Sequence, residues 1–125
     1  MKSPLHSWLR HLGLLFIVIL LSACDKQAAS PFQGRLEAAN AISEPNARNQ
    51  SLGKVALDAA NALDISTTKK AIESMNEPNL MNSTAATCAL ALSKKADPKS
   101  ATTIAQLISD PNLRNSTLQT IAKGQ

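Results

Sequence analysis

The stretch Ser109-Asp110-Pro111-Asn112-Leu113-Arg114-Asn115-Ser116-Thr117 decides the fold, because two related stretches precede it at intervals of 33 residues. They are NEPNLMNST at residues 76–84 and SEPNARNQS at residues 43–51. Each copy contains an acid, Pro and Asn in that order, and the three align without a gap. A fixed period of this length is typical of repeat architectures.

Each acid-Pro-Asn segment is predicted to start a helix, and the three segments (44–46, 77–79 and 110–112) are called elbows below. Proline is favoured in the first helical turn, where its missing N–H would have no partner in any case. An acidic side chain just before it can cap the exposed N–H groups. The residues assigned to the elbows, in a structural role, are Pro45, Pro78, Pro111, Asn46, Asn79 and Asn112.

Apolar residues recur at a period near 3.6 after each elbow, which predicts an amphipathic helix. The predicted long helices cover 45–63, 78–93 and 112–123, with Leu63 on the apolar face of the first. Shorter helices are predicted from Leu36, over 69–75 and over 98–109, with Ser66 or Thr67 as the cap of the second and Asp97 as the cap of the third. No strand-like alternation interrupts the pattern, so the fold class is predicted to be all-α.

A short helix, an elbow and a longer helix therefore occur three times, at about 36–66, 67–96 and 97–125. One helical hairpin cannot bury its apolar face alone, so hairpins of this kind stack and share a core. The predicted domain, 36–125, is a short α-solenoid of three helical hairpins. Many of its predicted core positions hold Ala, Ser or Thr, which favours close helix packing around a thin core.

The three copies, over 36–123, resemble the short bacterial form of the HEAT repeat. The resemblance lies in Asp110-Pro111-Asn112-Leu113-Arg114, with Thr117 and Ile121 at helical spacing behind it. It implies a stack of hairpins used as a binding surface, and it implies no chemistry. Met81 stands where the family has Arg, so an inter-repeat Asp/Arg ladder would be incomplete. A tetratricopeptide-like packing is the alternative, although that family's large aromatic and glycine positions are missing here.

The N-terminus has the composition of a signal peptide over 1–23, with basic Lys2 and Arg10 before an apolar run at 12–21. Leu21-Ser22-Ala23-Cys24 resembles the bacterial lipoprotein lipobox. That resemblance implies cleavage before Cys24, a diacylglycerol on its sulfur and an acyl chain on its amine. Residues 24–35, which include Pro31 and Gly34, are predicted to form a flexible tether.

The lipobox resemblance predicts a protein of the bacterial cell envelope, anchored to a membrane and facing the periplasm. Asp25 resembles the sorting residue that keeps lipoproteins in the inner membrane of enteric-type bacteria. The inner membrane is therefore favoured, and the outer membrane is the alternative.

Charge and composition argue against several classes of function. Removal of Lys2 and Arg10 leaves 11 basic residues against 9 acidic ones, and they are scattered, so nucleic acid is not a predicted partner. Both histidines precede Cys24, which removes Ser-His-Asp and Cys-His catalysis from the mature chain. With one cysteine left after Cys24, no zinc site or internal disulfide is expected, and Cys88 is interpreted as a small buried hydrophobe. No enzyme activity, metal or cofactor is predicted.

The predicted function is binding of a protein partner by the repeat domain, or self-association. The last helix is expected to leave apolar surface exposed. A dedicated inhibitor, immunity or pilotin-like lipoprotein with one envelope target is the alternative. Two rows of asparagines, at 46, 79 and 112 and at 49, 82 and 115, are interpreted either as a structural ladder between repeats or as a ligand-binding face.

Overall fold

A computed structural model describes residues 29–124, and within this range the chain is helical without strands. This confirms the predicted all-α class. The signal peptide, Cys24 and Asp25 lie outside the described residues. The six helices are α1 Gln33–Asn40, α2 Pro45–Asn61, α3 Ile65–Glu73, α4 Pro78–Lys94, α5 Pro98–Ala105 and α6 Pro111–Ala122.

The long helices α2, α4 and α6 each begin at the proline of an elbow, as predicted for the first two and one residue before the predicted start of the third. Each short helix ends in a tighter turn, with hydrogen bonds between residues three apart, just before the elbow. The N–H groups of Ile42, Met75 and Ile108 donate to the carbonyl three residues earlier. Such bonds are typical of the last turn of a helix. The short helices consequently end two to four residues before the predicted limits, and Ile108 is still fully buried.

The ends of α2 and α4 repeat one backbone motif. Leu63 and Ala96 have positive φ angles of 61° and 59°, and the residues after them donate N–H groups to Ala59 and Leu92, five residues back. This is the Schellman arrangement, which normally has glycine at the left-handed position. A side chain there costs about 1–2 kcal/mol.

The prediction that Leu63 belongs to the apolar face of a helix is wrong. The helix ends at Asn61, and the left-handed turn moves the Leu63 side chain away from the core, where it is 50% exposed. The prediction that Ser66 or Thr67 caps the next helix is also wrong. Asp64 is the cap, and α3 begins directly after it at Ile65.

The first helix begins at Gln33, inside the segment predicted to be a flexible tether. Pro31 precedes the cap residue Phe32, so it removes no helical hydrogen bond, and Gly34 lies in the first turn, where its cost is small. Arg35 fastens α1 to α2 through an ion pair with Asp58 at 2.6 Å, and its guanidinium lies 5.6 Å from the centre of the Phe32 ring.

The core is thin, as the composition predicts, because ten of its twenty buried apolar residues are alanines. Helix α4 lies at its centre and contacts α2, α3, α5 and α6. Leucine and isoleucine provide the large, fully buried side chains: Leu52, Ile72, Leu92, Ile104 and Ile108. Small residues at the remaining contacts let the helices approach closely.

Candidate interaction surfaces

The acid of each elbow caps the helix that follows. Glu44 accepts hydrogen bonds from the N–H groups of Asn46 and Ala47, and Glu77 accepts the equivalent pair. Asp110 has a shorter side chain and accepts one bond, from Leu113 N–H at 2.7 Å. The bonds from Ala47 and Asn46 lower the pKa of Glu44, because they favour its charged form.

The three elbow asparagines, Asn46, Asn79 and Asn112, are exposed. Each follows the proline of its elbow, and in the first two copies its backbone N–H is held by the capping acid. The side-chain amides make no hydrogen bond within residues 29–124. They therefore form an exposed polar row that is repeated at the period of the sequence.

The second asparagine row joins consecutive repeats. Asn49 Nδ2 donates to Asn76 Oδ1 at 2.7 Å, and Asn76 N–H donates back to Asn49 Oδ1 at 3.2 Å. One repeat later, Asn82 Oδ1 accepts from Ser109 N–H at 2.8 Å and from Ser109 Oγ at 3.0 Å. Asn49 and Asn82 are buried, so these bonds satisfy the polar atoms of their side-chain amides and join them to the next turn.

The third member of this row, Asn115, is exposed on α6. The interpretation as a structural ladder thus fits Asn49 and Asn82, which bridge to the turn 27 residues later. The sequence pattern alone does not separate these two residues from Asn115, because all three lie in equivalent positions. Asn49 and Asn82 are buried and bonded to the next turn, whereas Asn115 is exposed.

An open depression of about 540 Å³ lies where α4 meets the third elbow. Amide, hydroxyl and carboxylate groups surround one half-buried leucine in it, which makes it suited to polar contacts with another molecule. Its lining residues are Asn79, Asn82, Asp110, Asn112, Leu113 and Ser116.

The outer side of α6 is polar, with Asn112, Asn115 and Gln119 exposed. Leu113 and Leu118 are half-buried, and Leu63 is the single large apolar residue exposed within residues 29–124. The last helix therefore leaves apolar surface where the side chains of Leu113 and Leu118 are partly exposed.

Ser30, near the start of the described range, is hydrogen-bonded to the turn between α2 and α3. Ser30 Oγ donates to the carboxylate of Asp64 and accepts from Thr67 Oγ1 and Phe32 N–H, both at 3.1 Å. Thr67 N–H also donates to Asp64. Burial disfavours the charged form of Asp64, but the hydrogen bonds from Ser30 and Thr67 outweigh it and lower its pKa.

We call this turn the α2–α3 corner, defined by Ala62, Leu63, Asp64, Ser66 and Thr67. A cleft of about 450 Å³ runs along it, between the corner and the segment at Ser30, and Lys70 borders the same cleft. Sequence reasoning missed the corner. The available signal was the 33-residue spacing that relates Leu63-Asp64 to Ala96-Asp97, because both aspartates cap short helices.

Cys88 lies in the core, fully buried and without a disulfide partner in the described part of the chain. Burial raises the pKa of its thiol to about 12, so the thiol remains protonated and unreactive at neutral pH. This position agrees with its interpretation as a small buried hydrophobe.

Residues 29–124 contain neither a candidate membrane span nor a candidate metal site. No helix in that range is long and apolar enough to cross a bilayer, and no three His, Cys, Asp or Glu residues lie close enough together there to hold a metal ion. No protein-family model matches the sequence, and comparison with curated proteins and with solved structures gave no significant match.

Proposed function

We propose that the protein is a lipoprotein of the bacterial cell envelope, anchored through acylated Cys24, whose helical domain binds a protein partner. The observation that carries the proposal is Leu21-Ser22-Ala23-Cys24 directly after a basic and then apolar N-terminus. Two or more acyl chains give stable membrane attachment, whereas one gives only marginal binding. Asp25 favours the inner membrane as the site of attachment.

We further propose that the six helices form a HEAT-like solenoid of three hairpins. Two structural features recur at the 33-residue period of the sequence and support it. Asn49 and Asn82, which lie 33 residues apart, each bond to a residue 27 positions later, and the left-handed residues Leu63 and Ala96 also lie 33 apart. A stack of similar hairpins aligns equivalent surface residues, which is how such folds present an extended binding face.

The elbow row and the depression beside it are the proposed binding face. Asn79 and Asn112 lie in the same depression as Leu113, so polar groups surround one apolar contact there. Interfaces commonly have a polar rim around such a contact. We assign the domain a binding role and no catalytic one.

Acylation tests the anchor. Cells that express the full chain are labelled with an alkyne fatty acid, and wild type is compared with Cys24→Ala. We expect label and membrane fractionation for wild type, and neither label nor a mature-sized product for Cys24→Ala. Wild-type protein that is secreted without label would refute the anchor.

Recovery of a partner from solubilised envelopes tests the binding face. We expect wild type to retain a partner that the double variant Asn79→Lys/Asn112→Lys loses. The control is Asn61→Lys, an exposed position at the opposite end of α2, which should retain it. Equal recovery by all three proteins would refute the elbow face. A single partner at equal stoichiometry would favour the alternative of a dedicated inhibitor, immunity or pilotin-like lipoprotein.

A further inference from the structure

We propose that the α2–α3 corner faces the lipid surface and that Leu63 enters the interfacial region of the bilayer. This inference rests on the proposed acylation of Cys24. It adds an orientation: one defined end of the domain lies against the membrane, and the elbows point away from it.

The first argument is the length of chain between the anchor and the fold. Five residues separate Cys24 from Ser30, and Ser30 is bonded to Asp64 and Thr67 in the corner. Even a fully extended chain spans only about 20 Å over that distance. An acylated Cys24 therefore holds the corner near the membrane surface.

The second argument is the residue that the corner presents. Leu63 is a large apolar side chain, half exposed, at a backbone position that favours glycine. It does not belong to the core cluster, and its backbone conformation is unfavourable for leucine. The equivalent residue in the next repeat is Ala96, a much smaller side chain. A lipid surface explains why a leucine stands at the corner near the anchor, because apolar side chains bind there by leaving water.

The charges of the corner are compatible with a lipid surface. Lys70 is exposed and borders the same cleft as Leu63, where its ammonium group can reach anionic headgroups. The carboxylate of Asp64 is already engaged by Ser30 and Thr67. The other nearby acid, Asp58, is paired with Arg35.

Two other exposed positions, one on α2 and one after α4, serve as controls for Leu63. Helix α2 has 17 residues, so the elbow residue Asn46 lies about 25 Å from the corner by the rise of an α-helix. Ala96 occupies the equivalent corner of the next repeat and is exposed, at the end of α4 beside α2.

Fluorescence quenching by lipid tests the orientation. Leu63→Cys, Ala96→Cys and Asn46→Cys are each produced in the full chain, acylated, labelled with a thiol-reactive fluorophore and reconstituted into vesicles. The vesicles contain phosphatidylethanolamine, phosphatidylglycerol and a lipid with a spin-label quencher near the headgroup. Cys88 stays unlabelled because it is buried with a protonated thiol, and acylation consumes the thiol of Cys24.

We expect the lipid-borne quencher to reduce the signal at position 63 several-fold more than at position 46, with position 96 between them. Equal quenching at 63 and 46, in protein that carries the acyl label, overturns the orientation and leaves the anchor intact. Protein that takes up no acyl label refutes the anchor itself, and the proposed orientation fails with it. The two failures are thus distinguishable in one preparation.

Discussion

At the scale of single residues, Asn82 and Asn115 are equivalent in the repeat and differ in their surroundings. Asn82 is buried and accepts two bonds from Ser109, whereas Asn115 is exposed. We expect Asn82→Ala to lower the free energy of unfolding by about 0.5–1.5 kcal/mol, because it removes the two hydrogen bonds that join α4 to the turn at Ser109.

The matched control is Asn115→Ala, which should change the free energy of unfolding by no more than about 0.5 kcal/mol, as surface substitutions usually do. Urea denaturation followed by circular dichroism measures both. Similar losses in the two variants would show that the bond to Ser109 contributes no more than an exposed amide.

Ala96 offers a second prediction at this scale, with the opposite sign. Its φ angle of 59° is unfavourable for any residue with a Cβ atom. We expect Ala96→Gly to raise the free energy of unfolding by about 0.5–1 kcal/mol, after subtraction of the extra entropy of glycine in the unfolded chain.

The control for Ala96→Gly is Ala38→Gly, at an exposed position inside α1. There glycine should lower the free energy of unfolding by about 0.5–1 kcal/mol. Thermal denaturation of the two variants should therefore shift the midpoint in opposite directions. A lower midpoint for Ala96→Gly would contradict the assigned backbone conformation.

At the scale of helices, every helix from α2 to α6 is capped by an acidic side chain, namely Glu44, Asp64, Glu77, Asp97 and Asp110. Carboxylates accept hydrogen bonds from the first turn and also interact favourably with the helix dipole. The five carboxylates consequently stabilise the first turns of the helices that they cap.

The pKa values of Glu44, Asp64 and Asp97 are lowered in the fold, from ordinary values of 4.5, 3.8 and 3.8. For Asp97 the cause is hydrogen bonding from the Ser100 side chain and N–H. Such groups stabilise the fold above their unfolded pKa, and the contribution disappears as the pH falls through the lower folded pKa.

We therefore expect the urea midpoint to be nearly constant from about pH 7 to about pH 5 and to fall below about pH 4.5. Asp97→Asn keeps a good N-cap but cannot ionise, so its acid-induced loss should be smaller than that of wild type. A midpoint that does not change with pH in the acid range would contradict the role assigned to the caps.

At the scale of the whole molecule, stability depends on close contacts between helices with small side chains. Ala89 is fully buried on α4, and Ala122 occupies the equivalent position on α6, where it is exposed. We expect Ala89→Leu to lower the free energy of unfolding by about 1–3 kcal/mol through overpacking.

The control Ala122→Leu should leave the free energy of unfolding within about 0.5 kcal/mol of wild type, because the added atoms extend into water. Both variants are compared by chemical denaturation under the same conditions. No loss for Ala89→Leu would mean that the core around α4 has space for larger side chains.

The sequence by itself determined the helical class, the position of each elbow and the alternation of short and long helices. These features follow from local rules: proline in the first turn, an acid before it, and apolar residues at a helical period. The buried character of Ile72, Cys88 and Ile108 follows from the same period, since each lies on the apolar stripe of its helix.

Only the tertiary structure decided which equivalent residues behave alike. Asn82 is buried against the turn at Ser109, whereas Asn115 lies in a similar local sequence and is exposed. Leu63 leaves the apolar stripe because a left-handed turn ends α2, and Ser30 joins the domain because Asp64 and Thr67 bind it. The outcomes for Asn82 and Ser30 depend on residues about 30 positions apart in the chain. A local pattern contains no information about such contacts until the helices are packed.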